Sequence, residues 1–135
     1  IAKELMDSAY CVIYFTAAGL FDILAENTFG KRQDKDSDVF EHIYDCDLLI
    51  IDDLGTELPN SFTVSQLFIC LNERILRQKS TIISTNLALE DIKSIYSERT
   101  FSRISSNYTI LRITGDDIRI QKKLLNLGGT NDVTP

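Results

Sequence analysis

The stretch Cys46-Asp47-Leu48-Leu49-Ile50-Ile51-Asp52-Asp53-Leu54-Gly55-Thr56-Glu57 decides how the rest of the chain is read. Four consecutive aliphatic residues, Leu48 to Ile51, cannot put one face in water by alternation, so they are expected to form a strand covered on both faces, as central parallel strands are. At ~1.5 to 3 kcal/mol per fully buried aliphatic side chain, the four contribute roughly 6 to 12 kcal/mol, an upper estimate that requires helices above and below the sheet. Two adjacent carboxylates, Asp52 and Asp53, follow directly, and Gly55 then lets the chain turn sharply. Two like charges about 5 Å apart at an effective dielectric of about 20 repel by roughly 3 kcal/mol, so the pair needs a cation, a proton or a backbone that splays it. A divalent metal is the simplest remedy, and in open α/β sheets ligands sit beyond the carboxyl ends of the strands, where both aspartates fall. Read alone, the stretch is either such a site or a buried strand running into an acidic, solvated turn.

A chain of 135 residues, 44% hydrophobic and 25% charged, has the length of one domain and the composition of an ordinary globular one. Its net charge of −6 argues against bulk nonspecific attraction to nucleic acid and leaves room only for a local basic patch. No apolar run approaches bilayer length and no leader is legible, so no membrane partner and a cytoplasmic location are expected. Cys11, Cys46 and Cys70 are far apart and embedded in apolar sequence, which reads as three small buried hydrophobes without metal-ligand spacing. His42, the single histidine, falls in a short helical pattern and reads as a surface or capping residue.

Outward from the central stretch, Ile1 to Met6 reads as the last turns of a helix and Tyr10 to Thr16 as a β-rich strand. A helix around Ala17 to Glu26 carries Leu20, Ile23 and Leu24 on one face. Gly30 to Asp38 is a charged loop, either a solvated connection or, through Lys31, Arg32 and Lys35, a contact to a phosphate backbone. A short helix through Phe40 leads into the Asp-Asp strand. Beyond Gly55, Pro59, Asn60 and Ser61 mark a turn and N-cap, then a helix from about Phe62 to Gln78 is striped by Val64, Leu67, Phe68, Leu71, Ile75 and Leu76.

Ser80 to Asn86 is a second buried strand ending on polar residues; if it runs parallel to that of Asp52, Asn86 emerges at the same edge. Leu87 to Ser97 contains a short helix, and Arg99 and Arg103, four apart, share the face of the next. Two cations with only Glu98 beside them suggest an external anion. Tyr108 to Ile113 is expected to be the last strand. Gly115 to Leu125 reads as a helix with acids at its start and bases at its end, and residues 128–135 as a disordered tail after a domain of residues 1–127.

The combination resembles an AAA+ ATPase. Leu48 to Glu57 resembles a Walker B strand, Thr81 to Asn86 a sensor 1 strand, and Glu98-Arg99-Thr100-Phe101-Ser102-Arg103-Ile104 the box VII helix of the initiator branch. The Asp-Asp-Leu-Gly-Thr-Glu run, the Ser-Thr-Asn-Leu run and the closing Gly-Asp-Asp-Ile-Arg are similar to the DnaC/DnaI helicase loaders and their IstB relatives, over about residues 1–125. That resemblance implies a three-layer P-loop NTPase core with a parallel sheet, and ATP and Mg²⁺ as cofactors. It makes Asp52 the magnesium carboxylate, Asp53 the catalytic carboxylate and Asn86 the sensor. Arg103 is the finger toward a neighbouring subunit or else a surface ion-pair partner, with Arg99 its partner or substitute. Arg119 stands where the family can present a sensor 2-like arginine or is an exposed structural arginine. Glu57 is a switch residue or a helix-start acid.

One departure from the pattern is plain. A nucleotide cradle needs Gly-x-x-x-x-Gly-Lys-Ser/Thr, and the only Gly-Lys, Gly30-Lys31, lacks the earlier glycine and the following hydroxyl. The chain is therefore expected to be cut just after its phosphate loop, to lack the first strand, which would lie between those of Ser80 to Thr85 and Tyr108 to Ile113, and to bind ATP weakly or not at all as it stands. For the intact protein the resemblance implies an ATP-driven loader of a DnaB-type replicative helicase onto single-stranded DNA, homo-oligomeric upon ATP binding. The alternatives are an IstB-like transposition helper, a DnaA-type initiator and an inactive interaction module. A metal-dependent phosphohydrolase would want more His or Asp ligands than the sequence offers.

Overall fold

The computed structural model describes residues 1–29, 37–115 and 118. In chain order the elements are α1 (Ala2–Asp7), β1 (Val12–Thr16), α2 (Ala17–Phe29), α3 (Ser37–Asp45), β2 (Leu48–Leu54), α4 (Ser61–Leu76), β3 (Ser80–Thr85) and α5 (Leu89–Asn107). The strands form one parallel sheet in the order β1-β2-β3, joined by helical crossovers, which is the α/β architecture expected from the alternation of strand and helix patterns. The register runs from Val12↔Leu48 to Thr16↔Asp52 on one side of β2 and from Leu48↔Ser80 to Ile51↔Ile83 on the other.

One face of this sheet is sealed. Leu49, Ile51 and Leu54 are fully buried, and with Leu20 and Leu24 of α2, Leu67 and Leu71 of α4 and Tyr96 of α5 they form the core; Ile13, Phe15 and Ile83 pack against it from the same face. The opposite face does not meet the expectation of cover on both sides. Ile50 is half-buried, and its neighbours in register, Tyr14 and Ile82, are 56% and 38% exposed. Among the described residues Leu48 is buried where that face begins while Ile50 stays half-open, so the cover there is partial and the burial energy of the apolar run falls below its upper estimate.

Other expectations are corrected by packing. Residues 108–113 do not form the expected strand: among the described residues β3 is bonded to β2 alone, and Ile110, Leu111 and Ile113 stand exposed without a ladder. A β-rich run becomes a strand only where another backbone pairs with it. Of the three cysteines, Cys46 and Cys70 are buried and Cys11 is exposed. Leu76 leaves the stripe of α4 for solvent, and the buried positions near that end of the helix are Cys70, Leu71 and Arg74. The region expected to form a helix at 115–125 and the tail at 128–135 lie, apart from residues 115 and 118, outside the described residues.

Local chemistry explains where α4 begins. Asn60 is its N-cap: the Asn60 side chain accepts from Thr63 N–H at 2.9 Å while Asn60 N–H donates back to Thr63 Oγ1 at 2.9 Å, a reciprocal capping box. Toward the other end Arg74, 0% exposed, works as a staple. Its Nη1 donates to the carbonyls of Ile43 (2.6 Å), Tyr44 (3.2 Å) and Cys46 (3.2 Å), its Nη2 to Ser80 O (2.5 Å), and its Nε to Thr81 Oγ1 (2.9 Å). A buried guanidinium without a carboxylate is tolerated here because orphan carbonyls at the end of α3 supply partial negative charge. By gripping Cys46 and Ser80 together it fixes the register at which β2 and β3 set out.

Candidate nucleotide site

That register decides what meets at the far, carboxyl end of the sheet. Between Ile51 and Leu54 the pairing shifts: β2 places Asp52 and Asp53 where β3 has only Ser84, and Leu54 then pairs with Thr85. Both aspartates therefore lie inside β2, on a bulge, rather than just past the strand. Asp53 adopts φ 56°, a left-handed conformation that aspartate tolerates better than most residues. The bulge gives the splaying that two adjacent carboxylates require.

Asp52 is held from both neighbouring strands. The Tyr14 hydroxyl of β1 donates to its Oδ2 at 2.5 Å and the Ser84 hydroxyl of β3 donates to its Oδ1. These two donors, Ser84 first, hold the Asp52 carboxyl below the usual carboxylate range, while the bond to Asp52 raises the Tyr14 phenol above its ordinary value. Ser84 Oγ also accepts from Asp53 N–H at 2.9 Å, so one hydroxyl organises both aspartates. Asp53 itself is exposed, its carbonyl receiving Thr56 N–H at 3.3 Å and Thr56 Oγ1 at 2.9 Å in the turn beyond.

Asn86 follows the last residue of β3, which pairs with Leu54, so it emerges beside the aspartates at the same edge, exposed to solvent. Thr85 locks the two strand ends together: its hydroxyl donates to Leu54 O at 2.6 Å and accepts Leu87 N–H at 3.1 Å. Gly55 is obligatory in this turn, since its φ is 101° and a Cβ there would come within 2.5 Å of Leu87 Cδ1.

The arginines form a separate place. Ser97, at φ 83° and ψ 156°, breaks α5 in two, and the second half carries Arg99 and Arg103. The Arg99 guanidinium lies over the Phe68 ring of α4, 4.4 Å from its centre. Phe68, Glu98, Arg99, Ser102 and Arg103 line an open cleft of about 440 Å³. Glu98 is paired with Lys93 at 3.2 Å, and among the described residues neither Arg99 nor Arg103 has a carboxylate in ion-pair range. The cleft is suited to an anion that pairs with Arg99 and Arg103 and that none of the described residues supplies, and none of Asp52, Asp53 and Asn86 lines it. Lys31, Arg32, Lys35 and Arg119 lie outside the described residues. Tyr14, Ser84 and Tyr96 belong to the site's surroundings without having been singled out by sequence; the polar run Ser84-Thr85-Asn86 carried a signal for the second alone.

Among the described residues no three His, Cys, Asp or Glu side chains gather into a metal cage. An Mg²⁺ ion shared with phosphate oxygens needs only one or two carboxylates, and Asp52 with Asp53 offers that donor set. Among the described residues no helix is long and apolar enough to cross a membrane.

Comparison with known proteins bears on this arrangement. Residues 1–126 match the family model described as IstB-like ATP binding protein. Among solved structures, the crystal structure of the DnaC helicase loader superposes with a TM-score of 0.69 at 23% identity, over 82% of this chain and 65% of that one. AMPPCP-bound DnaA from Aquifex aeolicus gives 0.64 at 21% identity, over 93% of this chain and 39% of that one. The replication initiator DnaA bound to AMPPCP and single-stranded DNA gives 0.67 at 20% identity, again over 93% and 39%. The chain thus spans less than two thirds of the length of each of these structures. A comparison with curated protein sequences finds no significant match.

Proposed function

Because the chain belongs to the IstB-like ATP-binding family and has the AAA+ fold of DnaC and DnaA, we propose that the carboxyl edge of β2 and β3 binds and hydrolyses Mg-ATP in the intact protein. The observation that carries the reading is the meeting of Asp52, Asp53 and Asn86 at one end of adjacent parallel strands, 30 or more positions apart in the chain. Asp52, kept ionised by Ser84 and Tyr14, holds the metal; Asp53, on the bulge, orients the attacking water; Asn86 holds that water or the γ-phosphate. Bound Mg²⁺ neutralises charge on the phosphates.

ATP sits between subunits in this reading. One subunit supplies the aspartates and Asn86, and the next supplies Arg103, with Arg99 as its partner or substitute; the exposed guanidinium of Arg103, with no carboxylate in ion-pair range among the described residues, supports that division, while Arg99 rests on Phe68. An arginine in trans accelerates phosphoryl transfer by about 10³ to 10⁵, so assembly of the homo-oligomer controls hydrolysis. The work so controlled is the loading of a DnaB-type replicative helicase onto single-stranded DNA, with Lys31, Arg32 and Lys35 as candidate contacts to the strand and Arg119 as a candidate second nucleotide arginine. The likeness to the DnaC loader supports this work. The family match favours a second reading, a transposition helper with the same ATPase cycle.

In the full-length protein, Arg103→Ala should abolish assembly-stimulated ATPase while leaving ATP binding near that of the wild type; loss of binding would make Arg103 a structural residue. Capture of the replicative helicase rather than a transposase selects the loader reading, and the converse selects the helper. The 135-residue chain, which contains no phosphate-loop motif, should show no thermal shift with Mg-ATP, whereas a version extended upstream should.

A further inference from the structure

The two candidate sites of one subunit are physically joined, and the joint is Glu57. Its carboxylate accepts Gly55 N–H at 3.0 Å through Oε2 and the Tyr96 hydroxyl through Oε1. Gly55 belongs to the turn that leaves the Asp52-Asp53 bulge and packs against Leu87 beyond β3, so this end of the link is anchored at the nucleotide edge. Tyr96 is fully buried in the core and is the last residue of the first half of α5. Burial and the Glu57 bond both raise its phenol, which keeps it a donor at any physiological pH.

The next residue, Ser97, carries the only non-helical backbone within α5, and its Oγ lies 3.5 Å from Thr100 N and from Thr100 Oγ1, capping a new helical segment. That segment packs along α4 with Thr100 and Ile104 buried and Arg99 over Phe68, and its Arg99, Ser102 and Arg103 line the cleft. A hinge with a left-handed φ at a non-glycine residue persists only where its surroundings hold it, and the Glu57–Tyr96 bond is the polar contact that holds it from the nucleotide side. A helix-start acid would be spent on α4, but Asn60 already caps that helix.

We propose that Glu57 and Tyr96 are positioning residues that set the bearing of the arginine-carrying half of α5 against the nucleotide edge, and so aim the arginine that a subunit offers its neighbour. The inference rests on the ATPase reading above and adds to it the route between the two sites.

Mixing two full-length populations tests it. The donor carries Asp53→Asn and can offer only its arginine; the acceptor carries Arg103→Ala and hydrolyses only with a neighbour's arginine. Tyr96→Phe, which removes one hydroxyl, is then introduced on either side. In the donor it should lower the restored ATPase rate about tenfold, the weight of one hydrogen bond to a charged group. In the acceptor, whose turn keeps the Glu57–Gly55 bond, the rate should stay within about twofold, with ATP affinity unchanged on both sides.

Equal loss on the two sides, or no loss on the donor side, overturns the inference, because a merely structural tyrosine has no reason to distinguish them. Thermal unfolding accompanies each variant, and if Tyr96→Phe does not fold, Ser97→Gly, which frees the backbone of the break without touching Glu57 or the nucleotide edge, carries the same expected asymmetry. A mixture that restores no hydrolysis before Tyr96 is touched removes the ATPase reading itself, and this inference with it, so the two failures have different signatures.

Discussion

Replacing Arg74 with methionine tests how the site's register is fixed. Methionine keeps most of the buried volume, so the loss falls on polar groups. The carbonyls of Ile43 and Cys46, both buried, lose the Nη1 donor, and Ser80 O and Thr81 Oγ1 lose partners in a partly buried setting. At ~1 to 3 kcal/mol for each buried group left unsatisfied, the two carbonyls amount to at most about 2 to 6 kcal/mol, since Ile43 O keeps the weak Cys46 thiol donor. Release of a guanidinium buried without a carboxylate offsets part of this, leaving an expected net loss of about 3 kcal/mol. Urea unfolding followed by circular dichroism should show the midpoint falling with little change in slope. Arg74→Lys should recover part of the loss, since one ammonium with three donors cannot serve carbonyls on both α3 and β3. A methionine variant within about 0.5 kcal/mol of wild type would refute the staple and place the origin of the register elsewhere.

Further outcomes follow from the same geometry. Gly55→Ala forces a Cβ into Leu87 at φ 101°, and should destabilise the chain by about 2 kcal/mol or more in the same urea experiment while disordering the turn beyond the aspartates. Ser84→Ala removes the larger of the two influences that lower the Asp52 carboxyl, so its titration followed by carboxyl ¹³C shifts should move up toward the ordinary value. Because the folded-state value lies below the unfolded one, the stability contributed by Asp52 is present above about pH 4 and is lost as pH falls; Ser84→Ala should flatten that part of the stability profile. Asn60→Ala breaks the capping box and should cost about 1 kcal/mol without moving the Asp52 titration.

The fold was legible where a local pattern had one structural solution. Leu48 to Ile51 with the aspartates behind them, and Thr81 to Ile83 ending on Asn86, read as buried strands, and the structure pairs them in parallel. Once the strands are parallel neighbours, their carboxyl ends meet without further information. What the sequence left out depends on partners distant in the chain. Nothing local says that Tyr14 reaches Asp52, that Glu57 meets Tyr96 across 39 positions, or that Arg74 inside an apolar stripe finds carbonyls on two elements rather than water. The same limit explains the missed segment at 108–113, whose β-rich residues promise a strand but cannot supply its ladder, and the half-open Ile50 face, whose cover is not a property of the strand itself.

The central claim is that Asp52, Asp53 and Asn86 face one metal-bound triphosphate. In the full-length protein, Mn²⁺ substituted for Mg²⁺ with ATP would broaden backbone amide signals according to their distance from the metal. The β2 and β3 strands span about 3.3 Å per residue, so their two ends lie roughly 20 Å apart. The amides of Asp53, Gly55 and Asn86 should vanish first, with those of Leu48 and Ser80 retained. Broadening centred on Leu48 and Ser80, or spread evenly along both strands, would contradict a nucleotide site at the carboxyl edge.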